Sequence, residues 1–139
     1  MTRVLEVMKS ETTSPIATPQ RSLGGFIGGE AKLVAEEGVA RYAAPLMGSV
    51  QTQAVARAMA VLERSAAMGV IVAAPTAGSA GVVPGCVLAL AENLGLGDQQ
   101  IMEALYCSAA VGLSLTTSAC VAGAEGGCQA EVGLSLIHI

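Results

Sequence analysis

Two stretches of small residues constrain this chain more than any other feature. They are Ala73-Ala74-Pro75-Thr76-Ala77-Gly78-Ser79-Ala80-Gly81 and Gly123-Ala124-Glu125-Gly126-Gly127-Cys128-Gln129-Ala130-Glu131-Val132-Gly133. Gly, Ala and Ser let backbone approach a ligand or another helix closely. The second stretch also sets Cys128 among Glu125, Gln129 and Glu131. A core has no use for those three polar side chains, and a solvent loop has no use for so many small ones. A metal or catalytic site uses both.

The rest of the chain says what carries these stretches. Aromatic residues make up only 2% of the 139 residues, hydrophobic residues 53% and charged residues 13%. Such a core is built from Ala, Val, Leu and Met. Because Ala is the best helix former, this favours closely packed helices over sheets. The expected fold is all-α, an Ala/Gly-rich helical domain with at most one short extended segment near residues 70–74. The length suits one modest domain. The net charge of -4, with no basic cluster, argues against nucleic-acid binding.

Residues 1–22 are polar and lack the apolar run of a signal peptide, so a cytoplasmic location is expected. Cys86, Cys107, Cys120 and Cys128 are then free or metal-bound rather than disulfide-bonded. No two of them form a C-x2-C pair, which excludes a zinc ribbon. Residues 104–124 carry no charge and are long enough to cross a membrane. The run is rich in Ser, Thr, Gly and Ala and has no basic flank after it. A buried helical hairpin is therefore expected, with membrane insertion as the alternative.

The periodicity predicts the end of a helix over 2–9 and a Ser/Thr/Pro/Gly-rich loop over 10–29. A helix follows over 30–44, with Leu33, Val34 and Tyr42 inward. The clearest helix runs from Ser49, as N-cap, to Met68, with Gly69 as C-cap. Val55, Met59, Leu62 and Ala66 recur on what reads as its buried face, with Arg57 and Arg64 pointing elsewhere. Residues 70–72 form a strand or an extended link. Further helices are expected over 82–94, over 98–114 with Asp98 as cap, and from about Gly126 onward. The inward residues of the 98–114 helix are Ile101, Met102, Leu105 and Val111. Glu6, Glu30, Glu36, Glu37, Glu63 and Glu92 read as solvated.

At the two small-residue stretches the chain resembles the catalytic α chain of iron–sulfur L-serine dehydratases (L-serine ammonia-lyases). That family carries A-P-T-[NA]-G-[SA]-[AC]-G and, later, S-G-A-E-x-G-C-Q-[AG]-E-V-G. Here these read Ala74 to Gly81 and Ala122 to Gly133, with Ala122 in place of the family's usual Ser. The resemblance implies elimination of water from L-serine, giving pyruvate and ammonia. The cofactor would be a [4Fe–4S] cluster whose open iron is a Lewis acid, with no pyridoxal phosphate. It implies a small amino-acid substrate, a β chain or regulatory domain as partner, and a homo- or hetero-oligomer.

Carried over residue by residue, the resemblance makes Cys128 a cluster ligand. Thr76, Ala77, Gly78, Ser79, Glu125 and Gln129 become substrate-binding residues. The hydroxyls of Thr76 and Ser79 and the accessible backbone of the first loop suit a substrate carboxylate; without the resemblance, a tight helix-to-helix turn is the better account. No general base is identified. The family's other two cluster cysteines sit in a downstream C-D-P-V-G-G-x-x-x-x-P-C segment that these 139 residues do not contain. Cys86, Cys107 and Cys120 do not match the family's spacing and fall in apolar helices, where Cys behaves as a small hydrophobe. One matched Cys does not hold a [4Fe–4S] cluster, so the sequence is expected to be an inactive fragment of the whole enzyme. The alternatives are a related iron–sulfur lyase acting on cysteine or another small amino acid, and a non-catalytic helical interaction or membrane-associated protein.

The last six residues, Leu134-Ser135-Leu136-Ile137-His138-Ile139, are what CTG TCT CTT ATA CAC ATC encodes, the transposon mosaic end used in sequencing libraries. Residues 1–133 are therefore expected to be part of a serine dehydratase α-chain domain and residues 134–139 adapter read-through. A genuine apolar helix end is the alternative.

Overall fold

A computed structural model of the chain describes residues 1–40, 48–74 and 76–117. They form five helices: α1 (Thr2–Ala17), α2 (Glu30–Ala40), α3 (Gly48–Ala66), α4 (Val82–Leu94) and α5 (Asp98–Thr116). Among the described residues there is no strand, and residues 69–73 are a non-helical link. The all-α expectation holds, and the Val70-Ile71-Val72 segment is a connection rather than part of a sheet.

The central element is α3, which packs against α1, α2 and α4. Its buried face is Thr52, Ala56, Ala60, Val61 and Glu63, not the Val55–Met59–Leu62 row that its hydrophobicity suggests. Leu62 is 59% exposed. The reason is steric: three helices crowd α3, and the face that meets them is the one with the smallest side chains. A second cluster, Leu5, Met8, Val83, Leu88, Ala91, Ile101 and Leu105, joins α1, α4 and α5. Of the expected inward residues of α5, Ile101 and Leu105 are buried, while Val111 is exposed. In α2 it is Ala31 that is buried, and Leu33 faces out.

Several boundaries differ from the sequence expectation. Residues 10–17, expected as loop, extend α1 by two turns. Thr12 and Thr13 fold their hydroxyls back onto the carbonyls of Met8 (2.8 Å) and Lys9 (2.7 Å), satisfying themselves within the helix. Pro15 sits near the helix end, where its missing N–H removes only one ladder bond. The stripe Leu5, Met8, Thr12, Pro15 keeps helical spacing and is buried throughout. At α5 the N-cap is Gly97, not Asp98. Asp98 is the first helical residue and pairs with Lys9 of α1 at 2.5 Å. The side chain of Gln100 accepts the Gly97 N–H at 3.0 Å.

Ser49 lies inside α3 rather than capping it. At the other end of α3 Met68 adopts the left-handed conformation (φ 62°) one residue before Gly69. Gly95 closes α4 with φ 65°, as expected of a glycine C-cap. No helix among the described residues is long and apolar enough to cross a membrane. That covers α5 and so the first part of the uncharged 104–124 run.

Candidate functional site

The first small-residue stretch leaves the 69–73 link and turns into α4. Ala74 N–H donates to the Thr76 carbonyl (3.2 Å), and Ser79 Oγ donates to the Ala74 carbonyl (3.2 Å). The Thr76 and Ser79 hydroxyls lie 3.3 Å apart. Ala80 N–H reaches the Ala77 carbonyl (3.4 Å) and Val82 N–H the Ser79 carbonyl (3.1 Å), so the loop runs directly into the helix. Of the four residues expected to bind substrate here, Ser79 is buried at 1% exposure. Its hydroxyl holds the two ends of the loop together. Thr76 is half-buried, and Ala77 and Gly78 are exposed. The surface of the loop is thus Thr76–Gly78, with Ser79 as its strut.

The glycines that follow have a separate reason. A Cβ on Gly81 would lie 2.5 Å from the Ala58 carbonyl oxygen, and one on Gly85 2.9 Å from that of Ala54. The start of α4 therefore lies backbone-to-backbone on α3. Part of the small-residue signal reports helix packing rather than ligand contact. Beside the loop, a groove of about 300 Å3 runs between Ala77, Gly78, Ser79 and Gly81 and the α3 row Val55, Met59 and Leu62. The large apolar face of α3 lines this groove instead of the core.

The link into the loop is fixed from behind by a residue the sequence reading did not single out. Glu11, on α1, is fully buried, and its Oε2 accepts the Val72 N–H at 2.8 Å. Burial pushes its carboxyl up to about 7, against the opposing pull of the Val72 N–H and of the nearby Arg64. The signal was available: extending the Leu5–Met8 stripe by helical steps reaches Thr12 and Pro15, and Glu11 borders it. Glu63 was also misread as solvated. It is 3% exposed, and its carboxylate accepts the Gly29 N–H (2.9 Å) and the Ala31 N–H (2.7 Å). It thereby caps the N-terminus of α2 from another helix.

The second stretch, with Glu125, Cys128, Gln129 and Glu131, lies outside the described residues, as do Cys120, Tyr42 and the 134–139 tail. Among the described residues no three His, Cys, Asp or Glu side chains converge as a metal site would require. Cys86 is half-buried, and burial pushes its thiol up, away from the thiolate a metal binds. Cys107 is exposed on α5.

Comparison with known proteins gives this arrangement its context. Residues 1–136 match the family model described as serine dehydratase alpha chain. The probable L-serine dehydratase alpha chain of Bacillus subtilis (strain 168) is 44% identical over 109 residues, covering 78% of this chain and 36% of that protein. The L-serine dehydratase alpha chain of Peptoniphilus asaccharolyticus is 36% identical over 130 residues, 94% of this chain and 44% of that protein. A probable alpha chain from Latilactobacillus sakei is 44% identical over 84 residues, 60% of this chain and 40% of that protein. The chain thus spans less than half the length of these relatives. No solved structure matches it. With the model match running from the first residue through both small-residue stretches, the chain belongs to the serine dehydratase alpha chain family.

Proposed function

We propose that the chain is part of an L-serine dehydratase, a lyase that eliminates water from L-serine to give aminoacrylate, which hydrolyses to pyruvate and ammonia. The observation that carries this reading is the loop itself. A buried hydroxyl strut at Ser79 presents Thr76, Ala77 and Gly78 at the rim of a groove, on a segment tied down from behind by Glu11. Such a loop can hold a small carboxylate by a hydroxyl and backbone N–H groups without an added charge. Glu125 and Gln129 complete the substrate contacts in this reading, and Cys128 is the chain's ligand to a [4Fe–4S] cluster. The relatives' description as alpha chains supports a separate β chain as partner, and the protein is expected to work as an oligomer in the cytoplasm.

The described residues do not by themselves fit an iron–sulfur cluster. Among them no three ligating groups converge, and burial pushes the Cys86 thiol up. The remaining ligands belong, in this proposal, to the part of the enzyme beyond this fragment, and no chemical step is derived through the cluster. What the described residues do is shape and fix the substrate loop.

The test is pyruvate formation from L-serine by the whole enzyme, purified without oxygen and carrying this chain's residues. Thr76→Val is expected to raise KM for L-serine by roughly tenfold, the loss of one hydrogen bond to a charged group. Wild-type kinetics in Thr76→Val would remove the loop from the substrate site. Absence of pyruvate from an iron-loaded enzyme would overturn the activity itself.

A further inference from the structure

Where the last turns of α1 and α3 meet, there is a cavity of about 150 Å3 that shares no lining residue with loop 74–81. Ser14 and Pro15 line it from α1, and Glu63 and Arg64 from α3. Thr18 and Gln20, both exposed, also line it. Ser14 Oγ and Arg64 Nε are both buried, and neither has a hydrogen-bond partner. A third buried orphan, Glu11 Oε1, is an acceptor outside this lining. Buried polar groups are almost always paired, so the two orphans that share one cavity identify what is missing from it.

The charges say which kind of group is missing. The Glu63 carboxylate lines the cavity, but both its oxygens are taken by the N–H groups that start α2. Glu11, one turn before Ser14, directs Oε2 to Val72. Arg64 lies close enough to Glu11 to pull on its carboxyl, but its buried Nε makes no hydrogen bond, and its planar fork matches a carboxylate better than any other small anion-bearing group except phosphate. The volume equals about five waters at roughly 30 Å3 each, which is too small for a nucleotide and large enough for an acid of about two or three carbons. Pro15 and Ala17 supply an apolar wall for its carbon chain.

We propose that this cavity binds a small carboxylate, held by Arg64 and the Ser14 hydroxyl. The site is independent of the dehydratase reading and of the substrate loop.

The experiment is equilibrium dialysis of the chain against labelled acetate, with chloride adjusted to keep ionic strength constant. Saturable uptake of one acetate per chain is expected. Arg64→Met should abolish it, and Arg64→Lys, which keeps the charge but loses the fork, should weaken it by about tenfold. Ser14→Ala removes a single oxygen, so it tests the site even where the Arg64 variants fail a far-UV circular dichroism check of folding; it should weaken binding several-fold. Unlabelled pyruvate and L-serine should both displace acetate, since the site reads the carboxylate. Non-saturable uptake would overturn the proposal. So would wild-type binding by folded Arg64→Met or by Ser14→Ala, or failure of both competitors to displace the label.

Discussion

The two sides of α3 solve the problem of close contact in opposite ways. Against α4 the closest part of the seam is backbone and small side chains, with Gly81 and Gly85 lying directly on the carbonyls of Ala58 and Ala54. Towards α1 and the start of α2 the contact is polar, with Glu11, Thr12 and Glu63 all buried. The first side gains from dispersion and shape alone. The second gains from a few charge-assisted hydrogen bonds in a place where an unpaired charge is expensive. Substitutions should therefore hurt the polar side through lost partners and the small-residue side through lost space.

The largest expected effect is at Glu63. Glu63→Ala orphans the Gly29 and Ala31 N–H groups and removes two bonds to a charged acceptor, each worth roughly 1.5–3 kcal/mol. A loss of about 4 kcal/mol in urea unfolding is expected. Glu63→Gln keeps one acceptor and should lose about half as much. Equal, small losses in both variants would mean that α2 is held by packing alone.

Next comes Glu11, whose effect depends on pH. Its carboxyl titrates near 7 in the folded chain against an ordinary value of 4.5. Between those two values the folded chain binds more protons than the unfolded one, so stability falls as pH rises and the loss is complete above about 7. At about 1.4 kcal/mol per unit, the full span corresponds to roughly 3 kcal/mol. Glu11→Gln keeps an acceptor for the Val72 N–H and cannot ionise. It should match the wild type at pH 4.5 and exceed it by up to about 3 kcal/mol at pH 8. Parallel stability curves for the two proteins would show that Glu11 does not titrate in this range.

These polar contacts mark where the sequence was hard to read. The all-α class followed from Ala content, and the bounds of α4 from Pro84 and Gly95. The loop at 76–79 was visible as a motif. Glu11 and Glu63 were not, because a carboxylate on a helix reads as solvated unless its partner is known. Their partners are backbone N–H groups 61 and 32 to 34 residues away. The buried face of α3 was misassigned for a related reason. Val55, Met59 and Leu62 are the more hydrophobic row, but only the Ala56–Ala60 row is small enough to face three helices. Hydrophobicity ranks residues by their liking for a core, and says nothing of how much room that core leaves.

The small-residue seam is tested at Gly81. Gly81→Ala places a methyl against the Ala58 carbonyl oxygen at 2.5 Å, and that neighbour is backbone, so the helices must part. Overpacking of this kind costs about 2 kcal/mol. Gly85→Ala, with 2.9 Å to the Ala54 carbonyl oxygen, should cost less. A reversed order, measured by thermal unfolding, would place the tightest approach further along α4 than the geometry does.

The seam between α3 and α4 also carries one charged contact at its edge, and it makes the smallest prediction. Arg57 on α3 pairs with Glu92 on α4, with side-chain exposures of 15% and 62%. The arginine stem is largely covered, but the carboxylate stands in water, so the attraction is screened and little is lost when it is broken. Arg57→Met retains most of the covered stem and removes the charge. The expected loss is below about 1 kcal/mol, and 0.5 M salt, on the order of a Debye length of a few ångströms, should bring the wild type down to the level of the variant. A loss several times larger, insensitive to salt, would mean that the α3–α4 seam depends on charge as the α1 side does, and the contrast between the two sides of α3 would fail.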